Sequence, residues 1–347
     1  MLRGFWYPAL PSAAIRWRAV RTTTLLGLPL VLGRTTEGQP WALEDACPHR
    51  GMPLSAGTFD GREVECCYHG WRFEPVSGQC RTIPSLAAGA RLRVDRLFAR
   101  ALPAAEADGS VWVHVPEPEA GDEARPPVPR LPVFGRRYRI THLSVDIPCG
   151  VDHGVIGLID PAHGPFVHAS WFWRRRDSIH EKARVIEPIE EGFRIQGHAP
   201  SANSAPYKLL KVYRQPVVTT IEFTLPSTRI ETIRCGAYWF SSRAVVTPVR
   251  TGESRIDFCA AWNVFRSVPF FVSIFRAFAK VFLGQDRDVI VRQAVGLRHA
   301  PHMTLIDDAD RPAKWYFELK AALLEARRTG GPMKHPIPEP VTLRWRS

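Results

Sequence analysis

The sequence predicts an α+β protein, with an all-β amino-terminal domain followed by a domain in which an antiparallel sheet precedes two helices. Its 31 prolines and 25 glycines in 347 residues favour short strands and frequent turns. Apolar and polar residues alternate over 185–263, which is typical of an antiparallel sheet with one covered face. Helical periodicity is strong only near the carboxyl end.

The chain divides by composition into three parts. Residues 1–115 contain short strand patterns between Gly, Asp and Pro turns: LPLVLGR, PWALEDA, EVECCYH and SVWVHVP. The proline- and acid-rich stretch 116–132 predicts a linker, because such a composition cannot form a core. Residues 133–347 form the second predicted domain, which ends with helical patterns at 268–298 and 311–328.

The most apolar window, 268–284, is too short for a membrane span. It covers 17 residues and contains Pro269, Arg276 and Lys280, whereas a span needs about 20 apolar residues. We therefore expect no transmembrane segment. Its recurring phenylalanines predict one buried helical stripe: Phe271, Phe275, Phe278 and Phe282.

Charge and cysteine content narrow the class of protein. The net charge of +12 suits an acidic electron-transfer partner. The basic residues are scattered and no nucleic-acid motif accompanies them, so we expect no nucleic-acid partner. Seven cysteines in a chain of this size argue against a disulfide framework. The first residues do not resemble an export signal, so we expect a cytoplasmic protein.

Three cysteines and two histidines lie in one loop-rich segment, CPHRGMPLSAGTFDGREVECCYHGW. The pattern is Cys-x-His at 47–49 and, after 16 residues, Cys-x2-His at 66–69. Two thiolates and two imidazoles suit a structural zinc or a [2Fe–2S] cluster in which histidines replace two cysteines on one iron. Because each arm supplies one residue of each kind, the pattern favours the cluster.

A second pattern, Asp-x2-His-x4-His, runs from Asp160 through His163 to His168. Two prolines and a glycine inside it prevent one regular helix, so the two histidines can turn towards a common point. Two histidines and a further carboxylate form the facial triad of mononuclear non-haem Fe(II) sites, which leaves positions open for O₂ and substrate.

Together the two patterns resemble those of the Rieske non-haem iron oxygenases. The resemblance covers LEDACPHRGMPLSAG, CCYHGWRF and SGQCRTIP in the first half and DPAHGPFVH in the second. It implies a Rieske [2Fe–2S] domain followed by a START-like helix-grip catalytic domain. It also implies that one iron of the cluster is bound by Cys47 and Cys66 and the other by His49 and His69.

The resemblance also implies a mononuclear Fe(II) centre held by His163 and His168. Asp160 is implied to bridge His163 to His69 of a neighbouring subunit, which in turn implies a homotrimer. The segment GQDRDVIVRQA resembles the family's D-(R/K)-x-(V/I)-(I/V)-E-x-Q helix and places Asp286 at the third ligand position. Asp288 is the alternative ligand, although its spacing to the glutamine of that helix departs from the family pattern.

The sequence departs from its relatives at several positions. Met52 and Tyr68 stand where respiratory-chain Rieske proteins have cysteines, so the disulfide of that class cannot form. Cys67 stands where the oxygenases often have proline, and we interpret it as a small buried residue. Asp152 and His153 are interpreted as ordinary loop residues before the second pattern.

The resemblance implies that electrons from an NAD(P)H-driven flavin-dependent reductase or a ferredoxin support O₂ activation. The chain resembles the vanillate and dicamba O-demethylases and the pheophorbide a oxygenases, which favours monooxygenation or oxidative demethylation of an apolar, cyclic substrate. A ring cis-dihydroxylating dioxygenase and a Rieske electron carrier without oxygenase activity are the alternatives. We expect the pocket between the sheet and the iron, lined from TTIEFTL, CGAYWF and FCAAW. The segment SWFWRRR is either a gate and docking site, through Trp171, Trp173 and Arg174–Arg176, or an ordinary surface loop.

Overall fold

A computed structural model describes residues 1–118, 125–168, 179–199, 210–266 and 268–347. The chain forms two compact units, 1–130 with 248–251 and 131–247 with 252–347. The division into 1–115, 116–132 and 133–347 stays a prediction. Residues 119–124 of the predicted linker, and the gate and docking residues Trp171, Trp173 and Arg174–Arg176, lie outside the described residues.

The first unit is built from eleven described strands in three small sheets. The sheet orders are β1-β11-β10, β2-β3-β4-β9 and β5-β6-β7-β8. The strands are β1 (Phe5–Pro11), β2 (Arg21–Leu25), β3 (Leu28–Arg34), β4 (Pro40–Glu44), β5 (Thr58–Phe59), β6 (Val64–Glu65), β7 (Arg72–Phe73), β8 (Cys80–Thr82), β9 (Ala101–Leu102), β10 (Ala104–Ala107) and β11 (Ser110–Val115).

A small aromatic and aliphatic core holds the two loops that carry the cysteine–histidine pattern. The Trp41 ring meets Phe59 edge-on at 5.0 Å, and both pack with Phe73 and Leu54. One loop joins β4 to β5 and the other joins β6 to β7. Because short strands of one core flank both loops, the loops are held at a fixed separation.

The second unit is one eight-stranded sheet with four helices in its described part. The sheet order is β12-β18-β17-β16-β15-β14-β13-β19, and antiparallel ladders join β12 to β18, β13 to β19 and each consecutive pair from β13 to β17. The elements are β12 (Arg139–Ile147), α1 (Val151–Ile159), α2 (Gly164–Val167), β13 (Glu181–Ile189), β14 (Gly192–His198), β15 (Val217–Thr224), β16 (Thr228–Cys235), β17 (Tyr238–Arg250), β18 (Glu253–Trp262), α3 (Phe271–Leu297), α4 (Arg311–Thr329) and β19 (Val341–Arg346).

The sheet is wider than the alternating region 185–263 predicts, because two distant strands complete its edges. β12 pairs with β18 across more than a hundred residues of chain, and β19 pairs with β13. The last strand, VTLRWR, is short and polar on one face. Its hydrogen-bond partner is remote in sequence, so the local pattern gave no signal for it.

The two predicted helices are present close to the predicted bounds. α4 has Pro312 in its first turn, Arg327 and Arg328 in its last turn and Gly330 at a left-handed φ of 68° just beyond it, which are the signals that start and stop a helix. In α3 the phenylalanine stripe is half-buried rather than fully buried. None of the described helices combines the length and apolar character needed to cross a bilayer.

The interpretation of Asp152 and His153 as loop residues is wrong, because both lie in α1. The Asp152 carboxylate accepts hydrogen bonds from the Tyr316 hydroxyl at 2.6 Å and from Lys320 Nζ at 2.7 and 2.9 Å. These bonds fasten α1 to α4. Two glycines in α1 hide its helical pattern, and the contact with α4 stabilises the helix nonetheless.

We expect Asp152→Asn to lower the free energy of unfolding by about 1 kcal/mol. Hydrogen bonds to a charged group contribute about 1.5–3 kcal/mol, and the 36% exposure of this carboxylate screens part of that. Burial alone raises the pKa of Asp152, but Lys320 and Tyr316 hold it below its usual value. The stabilisation is therefore present above the ordinary pKa of 3.8 and is lost as the pH falls through the lowered value of the folded state.

Urea unfolding curves measured from neutral pH down to about pH 2 test this expectation. Wild type and variant should converge in acid. The control is Asp307→Asn, whose 77% exposed carboxylate also pairs with a lysine, and this substitution should leave the free energy of unfolding nearly unchanged. An equal effect of the two substitutions at neutral pH would remove the special role of Asp152.

Candidate metal centres

The two cysteine–histidine loops share one backbone hydrogen-bond pattern. In the first, the Cys47 N–H donates to Met52 O and the Gly51 N–H donates to Cys47 O. In the second, the Cys66 N–H donates to Trp71 O and the Gly70 N–H donates to Cys66 O. The two glycines have φ of 70° and 67°, a left-handed conformation that other residues rarely adopt. Each loop therefore presents its cysteine and histidine in the same way.

Thiols and imidazoles converge between the loops. Cys47 and Cys66 are buried, and burial, together with the adjacent Cys66 thiol, raises the pKa of Cys47 to about 11. The His49 and His69 rings meet at a centroid distance of 4.6 Å. Partial burial and the neighbouring His49 and Arg50 lower the pKa of His69, which favours the neutral imidazole that a metal requires.

This donor set fits a [2Fe–2S] cluster. Two buried thiols at one end and two half-buried imidazoles at the other match a cluster with a thiolate-bound iron and an imidazole-bound iron. The Trp71 ring stacks on His49 at 4.6 Å and 5°, and Tyr68 lies against His69 at 3.9 Å.

The prediction that Cys67 is buried is wrong. Its side chain is exposed, because it lies at the loop tip next to the inward-facing Cys66.

The second site brings His163, His168 and Asp286 together. The Nε2 atoms of the two histidines are 3.2 Å apart, and Asp286 Oδ1 lies 3.1 Å from His168 Nε2 and 3.7 Å from His163 Nε2. Ligands on adjacent corners of an octahedron with bonds of about 2.1 Å lie about 3 Å apart. The three atoms therefore fit one face of a six-coordinate Fe(II), with the remaining positions free for O₂ and substrate.

Local chain geometry explains how the two histidines meet. α1 ends at Ile159, Asp160 is extended, and α2 begins at Gly164, so the predicted break in the helix is present. The Asp160 side chain closes a turn, with Oδ1 accepting the Ala162 N–H at 2.7 Å. His163 then lies at the start of α2 and His168 at its end.

An oxygen lies near the other ring nitrogen of each histidine, at hydrogen-bond distance for His168 and at ion-pair distance for His163, whose buried Nδ1 has no well-aligned hydrogen bond to a described residue. His163 Nδ1 lies 3.4 Å from Asp160 Oδ2, and burial, which lowers the pKa of His163, is outweighed by Asp160 and then Asp286, so the pKa is raised. His168 Nδ1 lies 3.0 Å from Gln285 Oε1. Partners of this kind fix the tautomer and the ring orientation and present Nε2 to a metal.

α3 supplies one face to this site. Phe282, Gln285 and Asp286 are three and four residues apart and so share a side of the helix. The Phe282 ring stacks on His168 at 3.6 Å, and His168 is only 3% exposed. The alternative ligand, Asp288, is 63% exposed and pairs with Arg287 at 3.6 Å. This geometry favours Asp286 over Asp288.

Sequence reasoning missed Gln285, because the motif that identifies Asp286 does not include its neighbour.

We expect Gln285→Leu to weaken binding of Fe(II) at this site about tenfold, since loss of an outer hydrogen-bond partner typically costs 10–100-fold in affinity. Titration of iron-stripped protein with Fe(II) measures it. The control is Gln293→Leu, because Gln293 is exposed on the same helix. Equal affinities of the two variants would contradict the role of Gln285.

One apolar cavity of the second unit is lined by both chain neighbours of Asp160. Ile159 and Pro161 flank that carboxylate in the chain, and Ile221 and Phe223 come from one of the strands predicted to line the pocket. Other lining residues come from α4 and from strands that include β14 and β19, among them Phe193, Pro312 and Trp345. From the predicted FCAAW segment, Trp262 lines a different cavity, at the start of α3.

Family models match both halves of the chain. A model described as the Rieske [2Fe-2S] domain matches residues 5–101. A model described as the vanillate O-demethylase oxygenase C-terminal domain matches residues 157–330. The first range contains both cysteine–histidine loops, and the second contains all three residues of the second site.

Individual proteins agree with the family models. Chlorophyllide a oxygenase of Chlamydomonas reinhardtii is 31% identical over 307 residues, which is 84% of this chain and 43% of that protein. The oxygenase component of dicamba O-demethylase from Stenotrophomonas maltophilia is 33% identical over 172 residues, 48% of each chain. The chain thus spans about half the length of these relatives. The crystal structure of dicamba monooxygenase bound to dicamba matches with a TM-score of 0.75 at 20% identity, over 95% of this chain and 98% of that one, and shows the same fold.

Proposed function

The chain belongs to the Rieske oxygenases with a vanillate O-demethylase-type C-terminal domain, and we propose that it monooxygenates or oxidatively demethylates an apolar, cyclic substrate with O₂. The observation that carries the proposal is the convergence of donor atoms from His163, His168 and Asp286 within 4.8 Å. An electron carrier needs the cysteine–histidine loops alone.

One set of residues would bind the metals, and a second set orients the histidines that bind the Fe(II). When bound, the [2Fe–2S] cluster supplies single electrons and the Fe(II) ion supplies the place where O₂ reacts beside the substrate. His163, His168 and Asp286 would hold the Fe(II), and Asp160 and Gln285 keep the protons of the two imidazoles on Nδ1. Cys47, Cys66, His49 and His69 would hold the cluster.

An apolar substrate is supported by the cavity beside Asp160. Its walls are mainly Ile, Phe and Trp side chains, with Arg229 as the only charged residue among them. The cavity itself has a volume of only about 20 Å³, room for one water molecule, so the support comes from the apolar character of these side chains and not from a preformed pocket. The names of the relatives, which include a chlorophyllide oxygenase and an O-demethylase, point in the same direction.

Electron supply and assembly belong to the same proposal. We infer that a ferredoxin or a flavin-dependent reductase delivers electrons, and the net charge of +12 suits an acidic partner. We infer a homotrimer in which Asp160 of one copy meets His69 of the next. Asp160 is 31% exposed and His69 is half-buried, as a contact between subunits requires. We infer a cytoplasmic location from the sequence, whose seven cysteines do not suggest a disulfide framework.

Metal analysis followed by product analysis tests the proposal. An oxygenase should contain about three iron atoms per chain, two in the cluster and one at the facial triad, whereas a carrier should contain about two. The reduced protein is then given O₂ and a panel of methoxyarenes, sterol-like compounds and tetrapyrroles. A demethylated product with formaldehyde supports demethylation and a cis-diol supports a dioxygenase. Full iron without any oxygenated product would count against the proposal.

A further inference from the structure

We propose that a groove at the start of α3 binds a small apolar molecule that carries a carboxylate. The groove has a volume of about 410 Å³, which is in the range of small-molecule sites. Its walls are aromatic and aliphatic, and the two charged side chains among them are both cationic: Arg139 and Arg266.

Trp262 supplies a buried donor without an acceptor. Its side chain is 0% exposed, and its indole Nε1 has no hydrogen-bond partner among the residues that the structure describes. An indole N–H can only donate, and buried donors are nearly always paired. Because the ring has no exposed surface, it closes the floor of the groove, and the donors that a ligand in the groove can reach are those of the arginines.

Two arginines add positive charge next to this donor. Arg139 pairs directly across the strands with Trp262, so both side chains leave the sheet at one register position. Arg266 donates one hydrogen bond, to Arg137 O at 3.4 Å. Neither arginine has a carboxylate partner within the described ranges, and the groove lining contains no acidic residue. A guanidinium fork matches a carboxylate better than it matches a neutral oxygen.

The apolar wall is shaped for contact with a ligand. Phe270 is 82% exposed and Val268 is 47% exposed at the rim of the groove. Phe270 and Phe265 have φ of 57° and 48°, a left-handed conformation that is uncommon for bulky residues and concentrates at ligand-binding sites. An apolar molecule in the groove would cover this surface while its carboxylate reaches the two arginines.

The groove is separate from the metal centre. Asp286 follows Phe271 by 15 residues on α3, which corresponds to about 22 Å along the helix axis. The inference therefore goes beyond the proposed oxygenase function and does not depend on the iron. Binding to the groove should survive His163→Ala, which keeps the two proposals distinguishable.

Calorimetric titration of the full-length protein tests the site with decanoate, 4-methoxybenzoate and the neutral 1-decanol. We expect a carboxylate to bind more tightly than decanol. Arg139→Gln and Arg266→Gln should each weaken carboxylate binding about tenfold and leave decanol unchanged, because a charged hydrogen bond is lost. The matched control is Lys280→Gln, which removes one positive charge from an exposed position of α3, away from the groove lining.

The comparison of decanoate with 4-methoxybenzoate shows whether the ligand is alkyl or aryl, and arginine-dependent binding of either supports the site. Equal affinity for decanoate and decanol, or equal losses in Lys280→Gln and the arginine variants, would overturn it. Absence of any carboxylate binding at millimolar concentration would overturn it as well.

Discussion

His163→Ala should remove the mononuclear iron and turnover while leaving the visible spectrum of the [2Fe–2S] cluster unchanged. His163 Nε2 lies 3.2 Å from His168 Nε2 and 3.7 Å from Asp286 Oδ1, so it supplies one corner of the triad. The two protein ligands that remain bind Fe(II) too weakly to compete with its hydration by water. Iron content should fall from about three to about two atoms per chain.

The specificity of this effect depends on its control. His302→Ala removes a histidine from an exposed segment, and it should keep both the third iron and full turnover. Iron analysis, the absorption spectrum and product formation are measured on the same preparations. If His163→Ala retains turnover at the level of His302→Ala, the facial triad is assigned to the wrong residues.

Metal-binding patterns are the part of this protein that sequence predicts best. Their spacing follows from ligand chemistry, so Cys47, His49, Cys66 and His69 are found without any knowledge of the fold. Asp286 is found only because GQDRDVIVRQA resembles a family helix, since its partners in the site lie more than a hundred residues away. Gln285 has no such signal and needs the structure.

Local periodicity predicts helices and strands where one face is apolar, and it fails where long-range contacts decide. α3 and α4 follow from their spacing, and α4 also from its Pro312 and Gly330 signals. α1 is helical because Tyr316 and Lys320 bind Asp152 from 164 and 168 residues away. Non-local pairing likewise determines β19.

The proposed bridge between subunits makes Asp160→Asn the most informative single substitution. Asp160 accepts in two directions at once, with Oδ1 bound to the Ala162 N–H and Oδ2 facing His163 Nδ1. Asparagine offers one acceptor and one donor in the same shape. The asparagine NH2 group must therefore face either the Ala162 N–H or the His163 Nδ1–H, so that two donors meet. This repulsion weakens the orientation of the His163 ring.

We expect Asp160→Asn, loaded with excess Fe(II), to keep its cluster and its third iron but to lose about 10- to 100-fold in turnover number. KM for the substrate should change little, because Asp160 orients a ligand and does not form the pocket. The control is Asp288→Asn, which alters an exposed carboxylate two residues from Asp286 and should behave as wild type. Equal turnover of the two variants would exclude a role for Asp160.

A mixture of two impaired variants tests whether the bridge joins different copies of the chain. His69→Ala lacks an intact cluster, and Asp160→Asn lacks the carboxylate. In randomly mixed trimers about a quarter of the junctions between neighbours would pair an intact cluster with an intact Asp160. Activity should therefore reappear on co-expression, although each variant alone is impaired. If co-expression gives no more activity than the two variants measured separately, His69 and Asp160 do not meet across subunits.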